Sequence, residues 1–149
     1  MKEILLLSKR RLSQIAILPV SIGLVYLWFG SLKFFAGVSP AEQLAQNTIT
    51  HLTAGLILPE LSILMLAIWE TAIGLLLIFN LWTRFALQLA LVHILLTFSP
   101  FVFFSELLWT NAPFGLTLLG QYIVKNIIIL GVLVVLLWKK KGETVSVSH

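Results

Sequence analysis

Four long apolar segments limit what this chain can fold into. They run from about Gln14 to Phe35, Glu60 to Asn80, Phe85 to Phe104 and Leu118 to Trp138. Each has about 20 residues, the length at which a helix crosses the hydrocarbon core of a bilayer. With 59% hydrophobic and 11% charged residues, the chain leaves no room for a soluble catalytic domain. The sequence predicts an all-α polytopic membrane protein, in which residues 14–138 form one four-transmembrane-helix bundle.

The positions of the basic residues predict how these spans are oriented. Of ten Lys and Arg residues, four precede the first span, Arg84 lies between the second and third spans, and three follow the fourth. Because basic residues concentrate on the cytoplasmic side, residues 1–13 and the tail 139–149 are predicted to be cytoplasmic. The same pattern accounts for the formal net charge of +4, so the expected partner is a lipid bilayer and not nucleic acid.

A short amphipathic helix is predicted after the first span. Ser39 can cap this helix, Pro40 suits its first position, and Glu42 can complete a capping box. From Ala41 to Leu52, apolar side chains fall on one face and polar side chains on the other. This pattern is typical of a helix that lies at the membrane surface.

Three ionisable residues lie well inside the predicted spans: Glu70, His93 and Lys125. Counting from the outer ends of their spans at 1.5 Å per residue, Glu70 and His93 lie about 15 Å deep and Lys125 about 10 Å deep. A lone charge near the centre of a membrane helix costs about 2.5–3.5 kcal/mol even on a lenient scale. We therefore expect Glu70 and Lys125 to form a buried ion pair, with His93 in the same layer.

Two interpretations of this layer remain open. In the first, Glu70, His93 and Lys125, together with Asn126, only lock the helices to one another. In the second, the same layer also holds a ligand. The residue types alone do not decide between the two.

Lys33 is a further cation, close to the outer end of the first span. Its long side chain can extend to the interface, where Glu42, Glu60 and Glu106 are available partners. In the ligand-binding interpretation, it adds a second positive charge to the site.

Aromatic and polar side chains near the layer suit a flat ligand. Tyr122 precedes Lys125 by one turn on the same helix face, Asn126 is adjacent, and Trp28 and Trp69 lie near the same depth. Amine, phenol, imidazole and carboxylate groups between tryptophan walls fit a planar molecule with carbonyl or hydroxyl groups, such as a quinone. The candidate catalytic residues are Glu70, His93 and Lys125, and the candidate cofactor-binding residues are Lys33, Trp69, Tyr122, Lys125 and Asn126.

Other chemistry has little support in the sequence. The chain has no cysteine, which excludes thiol relays and thiolate metal sites. It also has no Gly-rich phosphate loop and no paired-histidine metal motif. His51 and His93 are poorly matched in depth as haem ligands. A redox reaction would therefore need a bound quinone and an electron donor on a partner protein.

Several short motifs in this order resemble the DoxX-like membrane proteins, in particular their YkgB-like branch. The motifs are WFGSLKF at 28–34, SPAE at 39–42, WE at 69–70 followed by Gly74, and GQYIVKN at 120–126. The resemblance extends over nearly the whole chain, from the first span to the fourth. The positions that match the family pattern are Gly30, Lys33, Glu70, Tyr122, Lys125 and Asn126.

The resemblance implies a four-helix bundle in the bacterial inner membrane. It also implies a quinone-linked redox role, since the family is named after a subunit of a thiosulfate:quinone oxidoreductase. Two alternatives stay open. The polar layer can belong to a small-molecule or proton-coupled transporter, which with so few spans would need a homo-oligomer, or to a non-catalytic anchor or assembly factor.

Overall fold

A computed structural model describes the backbone of residues 2–146 and the side chains of residues 17–139. The chain is 73% helical, which agrees with the predicted all-α class. Along the chain, the elements are α1 (Lys2–Leu32), α2 (Glu42–Leu52), α3 (Pro59–Ile78), α4 (Thr83–Leu96), α5 (Pro100–Phe103), α6 (Ser105–Leu108), β1 (Trp109–Asn111), β2 (Gly115–Leu116), α7 (Leu118–Val124) and α8 (Asn126–Ser146).

Three helical stretches in the described part of the chain are long and apolar enough to cross a membrane. They are Pro59–Ile78, Thr83–Phe103 and Leu118–Lys139, and they coincide with the second, third and fourth predicted spans. A further apolar helical stretch, Ile17–Leu32, is shorter than these three and forms the second half of α1. The side chains of the basic residues near the two ends, at positions 2–11 and 140–141, lie outside the described residues.

The core lies where α1, α3, α4 and α8 meet. Its buried side chains are Ile22, Tyr26, Ile73, Leu77, Ala86, Leu87, Ala90, Ile94, Leu133 and Leu136. Many large apolar side chains outside this core are exposed, among them Ile128 (73%) and Trp138 (76%). An apolar exterior around a packed interior is the pattern expected of helices surrounded by lipid.

Three glycines bring the backbones of α1 and α3 together. A Cβ atom added at Gly74 would lie 2.6 Å from the amide nitrogen of Leu27, and one added at Gly30 would lie 2.7 Å from that of Thr71. Gly23 packs against the carbonyl oxygen of Gly74 in the same way. Small residues allow this close approach between helices in membranes. The contact also places Gly30 beside Glu70.

The predicted amphipathic helix is present as α2, but its start differs from the prediction. Ala41 occupies the N-cap position, without a side-chain hydrogen bond. The carboxylate of Glu42 accepts a hydrogen bond from the backbone amide of Gly37 at 2.8 Å and so does not complete a capping box with Ser39. Leu44 and Thr48 form the buried face of the helix.

Regular structure is present in the connection between α5 and α7. It contains α6 and an antiparallel pair of short strands, in which Trp109 lies opposite Leu116. Thr117 then caps α7, because its side chain accepts a hydrogen bond from the amide of Gly120 at 3.1 Å. The hairpin therefore leads directly into the capped start of α7.

Candidate functional site

Glu70 lies at the centre of a buried polar network. Its side chain comes from the middle of α3 and the residue is 5% exposed. The ammonium group of Lys33 is 2.6 Å from Oε2, and Nε2 of His93 is 3.0 Å from Oε1. Each carboxylate oxygen therefore has a partner from a different helix, α1 on one side and α4 on the other. The predicted meeting of Glu70 and His93 is confirmed.

Tyr26 extends the network on the far side of His93. Its hydroxyl oxygen is 3.0 Å from Nδ1 of His93, and the hydroxyl can donate to the carbonyl oxygen of Ala90 at 3.1 Å. The two rings meet edge to face, with centroids 5.3 Å apart. Tyr26 was not among the predicted site residues. It lies seven residues before Lys33, a spacing that puts two side chains on one face of a continuing helix, and that spacing is the signal that could have identified it.

The network crosses from the end of α1 to α3 and α4 and returns to α1 at Tyr26. Lys33 directly follows α1 and lies seven residues after Tyr26, a separation of about 10 Å along the chain axis. Glu70 and His93 fill the space between them, so the order is Lys33, Glu70, His93, Tyr26.

Lys33 was predicted to extend to the interface, and this prediction is wrong. The residue is 9% exposed, and its ammonium group also donates to the carbonyl oxygen of Phe29, one turn earlier, at 3.2 Å. Side chains on a helix lean toward its N-terminus, which for Lys33 is the direction of Phe29 on α1. The partner of Lys33 is therefore Glu70 and not one of the predicted partners Glu42, Glu60 and Glu106.

Lys125 does not pair with Glu70, which corrects the ion pair expected from depth alone. Lys125 is exposed, next to the exposed side chains of Ile127 and Ile128 on α8. Its ammonium group lies 4.4 Å from the ring centroid of Tyr122, and no salt bridge of Lys125 occurs among the described side chains. Counting residues along the spans was therefore not enough to identify the partner of Glu70.

We expect Lys125→Met to change the free energy of unfolding in detergent by no more than about 0.5 kcal/mol, as for other exposed positions without a buried partner. Lys33→Met should lower it by clearly more, about 1–3 kcal/mol, because Glu70 then loses a buried hydrogen-bonded partner. Denaturation followed by circular dichroism measures both. Equal losses for the two variants would contradict the assignment of Lys33 as the partner of Glu70.

Trp69 is the predicted aromatic residue that does lie at the network. Its ring centroid is 6.4 Å from that of His93. Its indole Nε1 is buried and has no hydrogen-bond partner among the described residues. Trp28, predicted at the same depth, is 65% exposed and faces outward, so it forms no wall of the site.

Tyr122 and Asn126 lie at the edge of this region. The Tyr122 ring packs edge-on against Phe29, with centroids 5.8 Å apart. The amide of Asn126 is 3.5 Å from the hydroxyl of Thr97, which is the long limit of a hydrogen bond. Tyr122 and Asn126 thus contact residues of α1 and the end of α4, and among the described side chains the hydrogen-bond partners of Glu70 are Lys33 and His93 instead.

The donor set of the network suits proton exchange better than metal binding. One carboxylate and one imidazole meet at Glu70, and no group of three or more His, Cys, Asp or Glu side chains within residues 17–139 could hold a metal ion. A carboxylate between an ammonium group and an imidazole can share protons with both.

Searches of protein families, of curated proteins and of solved structures found no match to this chain.

Proposed function

We propose that this chain is a four-span protein of a bacterial inner membrane that binds a quinone next to Glu70 and exchanges protons with it. The motifs that resemble the DoxX-like proteins support the membrane location and the quinone. The basic residues at both ends of the chain support cytoplasmic termini. In this proposal Ile17–Leu32 belongs to the first span, which is completed by the residues before it in α1.

The unpaired indole nitrogen of Trp69 is the observation that carries this proposal. Buried donors are nearly always paired in folded proteins, and this one lies beside the imidazole of His93. A carbonyl oxygen would pair it. A quinone offers two carbonyl oxygens on a flat ring, so the residues present fit this ligand.

Each residue of the network has a role in the proposal. Trp69 donates a hydrogen bond that holds and orients a quinone carbonyl. Glu70 and His93 hold the exchangeable proton, and Lys33 offsets the negative charge of the carboxylate inside the bundle. A bound quinone supplies the redox chemistry, as an acceptor of two electrons and two protons. Lys125 is not part of this proposed site, because its ammonium group is exposed.

The electrons must come from outside the chain. The sequence has no cysteine and no flavin or nicotinamide motif, so its side chains offer no redox centre. We therefore assign the chain as a quinone-binding subunit that works with a redox partner protein.

A second function, as a membrane anchor, is favoured by one feature of the network. Both carboxylate oxygens of Glu70 already have partners, so the network can lock α1, α3 and α4 together without any ligand. In that case the protein holds a partner in the membrane, and the polar layer carries no chemistry.

Quinone binding tests the proposal directly. We expect the purified protein to bind a short-chain quinone saturably in calorimetric titrations, and Trp69→Phe to raise Kd about tenfold, since one hydrogen bond to a buried donor contributes about 1.4 kcal/mol. Trp28→Phe is the matched control, because Trp28 is exposed on the outside, and its Kd should be unchanged. Absence of saturable binding to the native chain, or equal Kd values for the two variants, would leave the anchor as the function.

A further inference from the structure

The hydroxyl group of Tyr26 lies between two acceptors at nearly the same distance. The carbonyl oxygen of Ala90 is 3.1 Å away and Nδ1 of His93 is 3.0 Å away. The residue is 5% exposed, so bulk water is not at hand as a third partner. A phenol has one proton to donate, and a carbonyl oxygen can only accept. Both contacts are hydrogen bonds at the same time only if Nδ1 carries a proton.

The protonation state of Nδ1 therefore sets the direction of the Tyr26 hydroxyl. When Nδ1 carries a proton, it donates to the oxygen of Tyr26, and Tyr26 donates to Ala90. When Nδ1 is bare, Tyr26 turns and donates to it, while the Ala90 carbonyl keeps its hydrogen bond within α4. In both states, Nε2–H of His93 can donate to Oε1 of Glu70, which is 3.0 Å away.

The charges around His93 allow both states. Glu70 faces Nε2 and Lys33 holds the other carboxylate oxygen, so these two charges cancel whichever state His93 adopts. Trp69 on α3 is close but does not titrate, and α8, which packs against α4, has no ionisable residue between Asn126 and Trp138. The three side chains of Lys33, Glu70 and His93 thus have a net charge of +1 when both ring nitrogens of His93 carry a proton, and of zero when Nδ1 is bare.

We propose that Tyr26 is a positioning residue for proton transfer at this site. By turning its hydroxyl between Ala90 and His93, it keeps the polar atoms around the imidazole paired before and after a proton leaves. The proton on Nδ1 of His93 passes to the oxygen of Tyr26 as the Tyr26 hydroxyl gives its own proton to the acceptor, so His93 changes from imidazolium to imidazole, Tyr26 stays neutral and no bond between heavy atoms changes. This inference rests on the proposed function only for the proton acceptor, an oxygen of the bound quinone. The hydroxyl switch itself needs no ligand.

The chain permits a direct spectroscopic test without quinone. It has two tyrosines, so Tyr122→Phe leaves Tyr26 as the single tyrosine and its C–O stretching band can be read in the infrared. In Tyr122→Phe in lipid bilayers, we expect this band to shift between acidic and alkaline pH, in step with the ¹⁵N resonances of His93. Adding His93→Gln should abolish the shift.

Nuclear magnetic resonance of the ring nitrogens gives the reciprocal measurement. In Tyr26→Phe, the bare Nδ1 of His93 should show the resonance of an unbonded nitrogen, whereas Tyr122→Phe should leave it hydrogen-bonded. A Tyr26 band that stays fixed while His93 titrates would overturn the inference, and so would a His93 that does not titrate at all. If Tyr26→Phe does not fold, the infrared measurement on Tyr122→Phe still decides the question. Because quinone is absent throughout, failure of quinone binding would not affect either result.

Discussion

Glu70→Ala is expected to lower the free energy of unfolding by about 3–5 kcal/mol, the largest loss for any single substitution in the polar network. The carboxylate is the shared partner of Lys33 and His93. Its removal leaves the buried ammonium group of Lys33 without its counter-charge and Nε2 of His93 without its partner in an apolar surrounding. Lys33→Met should cost less, because Glu70 keeps His93. Chemical denaturation in detergent, monitored by circular dichroism, measures both losses.

Two further variants separate the charge effect from a loss of packing. Glu106→Ala is the matched control, since Glu106 is exposed on α6, and its effect should stay within about 0.5 kcal/mol. In the double variant Glu70→Met with Lys33→Met, apolar side chains of similar length replace the pair, and most of the lost stability should return. A double variant as unstable as Glu70→Ala would show that the loss comes from packing and not from an uncompensated charge.

The sequence predicted the polar layer but not its pairings. Depth follows from counting residues along each span, and this placed Glu70 and His93 together correctly. Which side of a helix faces the bundle depends on how the helices are rotated about their axes, and a strongly apolar span gives little sign of that rotation. The sequence therefore predicted Lys125, and not Lys33, as the partner of Glu70. Lys33 is the partner of Glu70, and Lys125 is exposed.

The residues that hold Glu70 and His93 share one face of the first helix and its C-terminal end. Tyr26 and Gly30 on α1 and Lys33 directly after it are spaced three to four residues apart, so they form one stripe. Tyr26 and Lys33 carry the two ends of the network, and Gly30 lets Glu70 approach between them. The hairpin of β1 and β2 was not predicted from the sequence, for a different reason. Its pairing of Trp109 with Leu116 depends on packing against α6 and α7, which short-range patterns do not report.

The close contact between α1 and α3 leads to the second large expected effect. Gly30→Val should lower the free energy of unfolding by about 3 kcal/mol, near the upper end for overpacked cores. A Cβ atom at Gly30 would lie 2.7 Å from the amide nitrogen of Thr71 and 2.9 Å from Cβ of Glu70. Backbone atoms cannot turn aside as a flexible side chain can, so the two helices must separate.

Gly131→Val is the matched control, because no atom lies within 4 Å of a Cβ atom added at Gly131 on α8. Valine and glycine differ by only about 0.5 kcal/mol in helix propensity, so this variant should be nearly neutral. Separation of α1 from α3 also pulls Lys33 away from Glu70. Gly30→Val should therefore abolish most of the additional loss caused by Lys33→Met when the two are combined. If the two losses simply add, the glycine contact and the ion pair are independent, and the close approach of the helices is not what brings Lys33 to Glu70.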